Sequence, residues 1–297
     1  MKKLWLSVLL VALLLLTISP TAVLAKSDGA GQVNATDVQI VKKVTLQGPV
    51  AKGGKTVPTA ASGILGAPVT GAKYAVVVGI NDYPGSSSDL QYTVADADEM
   101  SYVLTSIYGF SAGNVHELTD TAATKTAIHN AINTIKGMAN SGDEVVFFFS
   151  GHGAKGKAND GDTNNVDQAI VVQENGQFAY IWDGELVQWF NGFPTNRIIF
   201  VFDSCLAGGM AVLNTPPGRV VCMGSTINSM SLEGAQWGGG HGQFTYYFAE
   251  EGMQMAKADV RAHDSKVTVE EAFDYAKANC KSQTPTIADG FTNDLLP

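Results

Sequence analysis

Hydrophobic residues occur along this chain in short unbroken runs, and the stretches between the runs carry helical spacing. Residues 74–80, 145–149, 169–172 and 198–202 are almost wholly apolar, and 220–223 repeat the pattern. A strand covered on both faces needs apolar side chains at odd and even positions alike, so each run predicts an interior strand. Between them, 94–108 carries Val94, Ala97, Tyr102, Leu104 and Ile107 among its apolar positions. Residues 124–139 set Ile128, Ile132 and Ile135 on one helix face, with Thr124 as N-cap. Stretches 244–255 and 269–280 predict two more helices. Doubly buried strands alternating with helices predict one α/β domain over 72–297, with a mostly parallel sheet and helices on both faces.

Ahead of that domain the texture differs. Lys2 and Lys3 precede a nearly unbroken apolar run over 4–18, Pro20 breaks it, and Val23-Leu24-Ala25 supplies small residues before a cleavage site. The run has about 15 residues against the roughly 20 that cross a bilayer as a helix. Residues 1–25 therefore read as a signal peptide cleaved after Ala25, leaving an exported, secreted chain with no stable membrane span. Residues 26–71 lack aromatic side chains and are rich in Gly, Ala, Thr, Val and Lys. They read as a pro-segment or flexible linker with one strand near 38–46, too poor in large apolar groups to join the core firmly.

Composition narrows the partners. A net charge of −9 argues against nucleic acid. Three cysteines are too few for a disulfide scaffold, and the odd count leaves at least one thiol unpaired. Cys222 and Cys280 are either core thiols or a disulfide pair. The remaining thiol, Cys205, invites a chemical explanation.

Two predicted strand ends carry reactive side chains. Ser150-Gly151-His152-Gly153 follows one apolar run and Asp203-Ser204-Cys205 follows another. Ligands of open α/β sheets bind beyond the carboxyl ends of the strands. If these two strands are parallel neighbours, imidazole and thiol emerge on one edge, as a Cys–His nucleophile pair requires. The imidazole can then take the thiol proton. Glycines at 151 and 153 permit close backbone approach, so the Gly153 and Cys205 amides are candidate oxyanion donors. His116, His129, His241 and His263 lack such a setting and read as surface or structural.

These residues resemble the caspase and metacaspase peptidases, the metacaspase branch most closely. The resemblance rests on Val78-Gly79-Ile80-Asn81-Asp82-Tyr83, Val94-Ala95-Asp96-Ala97-Asp98-Glu99-Met100, the histidine and cysteine motifs above, and the weaker Gln243-Phe244-Thr245 and Gln283-Thr284-Pro285. It departs at Leu206-Ala207-Gly208, where metacaspases usually carry His-Ser-Gly, and at Ala95, where they usually carry Asn. The resemblance implies a caspase-like three-layer sandwich and a cysteine endopeptidase acting on peptide or protein substrates. It also implies cleavage after Arg or Lys, with Asp96 and Asp203 as acidic pocket residues and Ser150 as a polar neighbour; two carboxylates suit a basic side chain.

No cofactor is implied for the chemistry itself. Metacaspases often need calcium at an acidic cluster matched here by Asp167 and Asp183, while two further acidic positions are lost at Gly184 and Val212, so only a modest calcium effect is expected. Asp160-Gly161-Asp162-Thr163-Asn164 alternates oxygen ligands, but Asn165 and Val171 stand where a calcium-binding helix–loop–helix needs Gly and Glu. That stretch reads as a solvated acidic loop. Two rival readings remain: a non-catalytic caspase-like binding scaffold, and a sister peptidase with Asn or Asp specificity. Oligomeric state is left open.

Overall fold

The computed structural model describes residues 33–48, 59–161, 166–261 and 263–297. The signal segment 1–25, the linker lysines Lys52 and Lys55 that suit an acidic pocket as points of self-cleavage, and residues 162–165 of the acidic loop lie outside the described residues. In chain order the strands and helices are β1 (Ala35–Val41), β2 (Val44–Thr45), β3 (Lys73–Gly79), α1 (Thr93–Tyr102), β4 (Val115–Thr119), α2 (Lys125–Met138), β5 (Glu144–Gly151), β6 (Gly153–Ala158), β7 (Asp167–Glu174), β8 (Gln177–Trp182), α3 (Asp183–Phe190), β9 (Ile198–Ser204), β10 (Arg219–Met223), β11 (Leu232–Gly234), β12 (His241–Gly242), α4 (Gln243–Thr245), α5 (Val269–Asn279) and β13 (Thr286–Asp289). Helix α1 runs on as a wider π-helical turn over Val103–Ile107, and α4 as another over Tyr246–Gln254.

Four of the five apolar runs are neighbours in one six-stranded sheet of order β13-β10-β9-β5-β3-β4. All its pairings are parallel except β10 with the edge strand β13. Alternation along the strands divides the core in two. Ala75, Val77, Val146, Phe148, Ile199, Val201, Val220 and Cys222 pack with Ala97, Met100, Phe244, Phe248 and Phe273 from α1, α4, the turn after α4 and α5. On the opposite face Phe147 and Phe200 meet Phe190 of α3 edge-on, at ring separations of 5.8 and 4.8 Å. The result is a three-layer sandwich, as the apolar runs predict.

Thr124 caps α2 by accepting from the Ala127 amide at 3.0 Å. Thr268 caps α5 in a reciprocal pair with Glu271, filling two orphan donors of the first turn. The edge strand β4 was not predicted, because its half-exposed sequence Val-His-Glu-Leu-Thr has no apolar run.

The fifth run, 169–172, departs from the prediction. It lies in β7, within a separate antiparallel sheet of order β1-β6-β7-β8. The cause is local: Asn175-Gly176 joins β7 to β8 with both φ angles positive, at 52° and 70°, the turn that closes a two-residue hairpin.

The linker reading of 26–71 also changes. In place of one strand near 38–46 there are two. β1 pairs antiparallel with β6, and β2 pairs parallel with β11 in a small third sheet with β12. Residues 35–46 are thus held by backbone pairing, which needs no large apolar side chain. All three cysteines are free and buried, so the Cys222–Cys280 disulfide is not formed. Among the described residues no helix is long and apolar enough to cross a membrane.

Candidate active site

Parallel pairing of β5 with β9 sets Ser150 opposite Asp203 and Gly151 opposite Ser204. One residue further along each chain come His152 and Cys205, at the carboxyl edge of the sheet. Gly153 lies against the Cys205 carbonyl so closely that a Cβ would stand 1.9 Å from that oxygen; only glycine fits there. The chain leaves Cys205 through a left-handed Leu206, φ 60°.

His152 is buried and fixed on every side. Tyr83 stacks on its ring at 4.6 Å, and the Tyr83 hydroxyl accepts from the His152 amide at 3.0 Å. Nε2 lies 2.8 Å from the Ser88 carbonyl and Nδ1 lies 2.9 Å from the Lys43 amide. A carbonyl can only accept and an amide can only donate, so Nε2 carries the proton and Nδ1 the lone pair. Burial holds the imidazole at about 4, against the Ser88 hydrogen bond that favours its charged form. Cys205 Sγ accepts from the Ser231 amide at 3.1 Å. Burial pushes its thiol up to about 11, although the Ser231 amide and the Lys43 charge pull the other way. Both groups are therefore neutral at pH 7.

Next to this pair is a buried acidic pocket. Ser150 Oγ donates to Asp96 Oδ2 at 2.6 Å, and Asp96 Oδ1 accepts from the Gly242 amide at 2.8 Å and faces His241 Nδ1 at 3.1 Å. Asp203 Oδ1 accepts from Ser231 Oγ at 2.5 Å; its Oδ2 accepts from the amide and hydroxyl of Thr245 at 3.0 and 2.8 Å. Gly242 forms a wall: a Cβ there would sit 2.2 Å from Asp203 Oδ2 and 2.6 Å from Lys43 Nζ.

The ammonium of Lys43 fills the pocket. It lies 3.1 Å from Asp203 Oδ1, 3.0 Å from Ser150 Oγ, 3.1 Å from the Asp203 carbonyl and 3.5 Å from Asp96 Oδ2, with the Lys43, Asp96 and Asp203 side chains all excluded from water. Burial alone would lower the lysine pKa, but Asp203 and Asp96 outweigh it and the net direction is up. Burial would likewise raise the Asp96 carboxyl, but Lys43, His241 and the Ser150 hydrogen bond together hold it below its ordinary value.

The structure thus brings Asp96, Ser150 and Asp203 together, with His152, Gly153 and Cys205 adjoining. Sequence reasoning missed the supporting groups. Ser88 acts through its carbonyl, which has no side-chain signature, and Ser231 through its amide and a hydroxyl that lies in no motif. Thr245 was within reach, since it ends the quoted Gln243-Phe244-Thr245. His241 does hold Asp96, a structural role at the pocket rather than at the surface. Lys43 reads in the sequence as one of four lysines, with Lys42, Lys52 and Lys55, that suit an acidic pocket as points of self-cleavage, and nothing local distinguishes it from the other three.

A second acidic group lies where β7 and α3 begin. Carboxylate oxygens of Asp160, Asp167 and Asp183 fall within 4.8 Å of one another, and all three residues are buried. Asp160 is therefore not part of a solvated loop. Its Oδ2 accepts from the Gly184 amide at 3.0 Å, while its buried Oδ1 has no hydrogen-bond partner. A Cβ on Gly184 would stand 2.7 Å from the Asp160 carboxylate, so Asp160 occupies the space an acidic residue at 184 would enter. Three buried oxygen donors suit a hard divalent cation such as calcium.

Comparison with known proteins bears on the family and the fold. Residues 72–296 match the family model of the caspase domain. Metacaspase-4 of Arabidopsis thaliana is 34% identical over 146 residues, covering 46% of this chain and 34% of that protein. Metacaspase-1 of Schizosaccharomyces pombe is 31% identical over 148 residues, covering 47% of this chain and 35% of its own. The chain thus spans about a third of the length of the curated relatives it matches. The Drosophila initiator caspase Dronc shares the fold, with a TM-score of 0.53, 12% identity, and coverage of 87% of this chain and 97% of that one. A protein from Geobacter sulfurreducens superposes with a TM-score of 0.55 and 19% identity over 73% of this chain and 92% of its own. With its caspase-domain match running from 72 to 296, this chain belongs to the caspase/metacaspase-like peptidase family.

Proposed function

We propose that the protein is an exported cysteine endopeptidase that cleaves after Arg or Lys through a His152–Cys205 dyad. The observation that carries the specificity is the Lys43 ammonium between Asp203 and Asp96. A pocket that already holds a lysine side chain by two buried carboxylates and a hydroxyl is built for a basic side chain, and it would repel an acidic one. This argues against the Asp-specific alternative.

In this reading His152 Nδ1 takes the proton of the Cys205 thiol, and the sulfur attacks the carbonyl carbon after the basic residue. The amides of Gly153 and Cys205 receive the negative charge on oxygen. His152 then gives its proton to the leaving nitrogen, the C–N bond breaks, and the C-terminal product departs. Water, deprotonated by His152, hydrolyses the thioester and restores the thiol. The Ser88 carbonyl keeps the imidazole in the tautomer this requires. No step draws on a cofactor.

Calcium belongs to the proposal as a structural ion at Asp160, Asp167 and Asp183. There it would be held by three buried carboxylates and would order the junction between β7 and α3. Secretion follows from the signal-like 1–25, and 26–71 is a pro-segment removed at a basic residue. A fluorogenic peptide panel varying the residue before the scissile bond tests the central reading. Turnover confined to Arg and Lys substrates, and lost in Cys205→Ala, is expected. Preference for Asp or Asn, or no turnover of any substrate by the protein freed of 26–71, would overturn it.

A further inference from the structure

Two requirements must be met together for this site to cut a bond. The side chain in the acidic pocket must belong to the residue before the scissile bond, and the imidazole must face the nitrogen after it, which it protonates as that nitrogen leaves. Lys43 meets the first requirement. The nitrogen facing His152 Nδ1, however, is that of Lys43 itself, at 2.9 Å. The nitrogen after Lys43, that of Val44, instead donates to the Ser231 carbonyl at 3.0 Å, and Leu46 continues the pairing by donating to Glu233 at 2.8 Å.

The bond whose nitrogen does face the imidazole, Lys42–Lys43, fails the other requirement. The Lys42 side chain is outside the pocket, its ammonium 2.7 Å from the Ser87 carbonyl. Neither bond flanking Lys43 satisfies both conditions. The cause is strand direction: β2 runs parallel to β11. A chain laid in the opposite sense would exchange the two nitrogens, bringing the leaving nitrogen to His152 and the pocket residue's own amide to Ser231.

We infer that residues 42–46 are a built-in inhibitor seated backwards in the cleft, with Lys43 as an uncleaved plug. The plug acts twice. Its ammonium denies the pocket to a substrate's basic side chain, and its amide takes the imidazole lone pair that would otherwise accept the Cys205 proton. Pairing of β1 with β6 and of β2 with β11 holds the strap from both sides of Lys43. Thr45 Oγ1 adds a bond to buried Glu233 at 2.6 Å. The protein is therefore made latent and becomes active when the strap leaves, not when the bond after Lys43 is cut. This rests on the peptidase reading above and assigns its regulation.

The test uses the full chain, Lys43→Ala, Lys43→Arg and Val44→Pro. The proline removes the amide bonded to Ser231 without altering the pocket, and so guards against misfolding of the alanine variant. Two readouts are followed: alkylation of Cys205 by iodoacetamide, located by peptide mass, and initial turnover of an Arg- or Lys-containing fluorogenic peptide. Alkylation at least tenfold faster in Lys43→Ala and Val44→Pro than in wild type, with Lys43→Arg restoring slow labelling, is the expected result. Equal labelling in all four proteins would overturn the inference, as would intact-mass products cut on either side of Lys43 appearing before activity does. Faster labelling without turnover of any peptide would leave the inhibitory strap standing and remove the peptidase reading. Full turnover by wild type from the first moment would do the reverse.

Discussion

The Lys43 amide donates to Nδ1 of His152 at 2.9 Å while the ammonium of the same residue lies 3.1 Å from Asp203 Oδ1. One residue therefore occupies both the imidazole lone pair and the acidic pocket. The proposed dyad of His152 and Cys205 is held neutral by burial, with the imidazole at about 4 and the thiol at about 11.

That state has a defined pH window. His152 is depressed below its ordinary 6.5, so its contribution to the latent fold is complete above 6.5 and is lost as pH falls towards 4. Cys205 is raised from 9.0, so its contribution is complete below 9.0 and is lost as pH rises through about 11. The latent protein should be most stable between those limits. Thermal unfolding is expected to show a loss on the order of 3 kcal/mol from pH 6.5 to 4, much flattened in His152→Asn. An unchanged acid slope in that variant would remove His152 as the cause.

Replacing Cys205 by alanine should reduce turnover of a basic peptide by several orders of magnitude, since the covalent nucleophile is gone. The fold should survive, because among the described residues the hydrogen bonds of the thiol go to Ser231 alone. Near-normal turnover would take Cys205 out of the mechanism.

Asp203 serves the fold as well as the pocket, which changes what its removal should do. It accepts from Ser231 and twice from Thr245. Asp203→Ala is expected to lower stability as well as activity, because three buried donors lose their acceptor. Asp203→Asn keeps the shape and removes the charge. It should lower kcat/KM on Arg and Lys peptides by about 2–5 kcal/mol of transition-state binding, with a smaller change in melting temperature. Equal kcat/KM in the asparagine variant would exclude Asp203 from specificity.

Calcium should raise the melting temperature of the wild type at millimolar concentration, a larger effect than the loss of acid at Gly184 and Val212 suggests. Asp160→Asn should abolish most of that shift, since Asp160 supplies the carboxylate beside Gly184. Isothermal titration on both proteins would check it, and equal calcium affinity in the two would remove Asp160 from the site.

A single side chain also tests the pocket wall. Gly242→Ala would place a methyl group within 2.2 Å of Asp203 Oδ2. Basic peptides should then bind several-fold more weakly, seen as a raised KM with little change in kcat.

The sequence by itself determined the layers and the reactive edge. A run apolar at odd and even positions can only be buried on both faces, so β3, β5, β9 and β10 were legible residue by residue. The positions of His152 and Cys205 followed from the ends of two such runs. It also marked Asp96, Ser150 and Asp203, through resemblance to a family. What it left undecided depends on partners far apart in the chain. The run in β7 is the exception: it looks like the others, and the adjacent Asn175-Gly176 hairpin, a local feature, sends it to a different sheet. Asp160 is polar and sits in a turn-rich stretch, so its burial beside Asp167 and Asp183 has no local sign. Lys43 has a lysine's ordinary preference for water. Only the tertiary structure, by pairing β1 with β6 and β2 with β11, fixes the backbone on both sides of it. That fixing lets its ammonium leave water for Asp96 and Asp203, which lie 53 and 160 residues away in the chain.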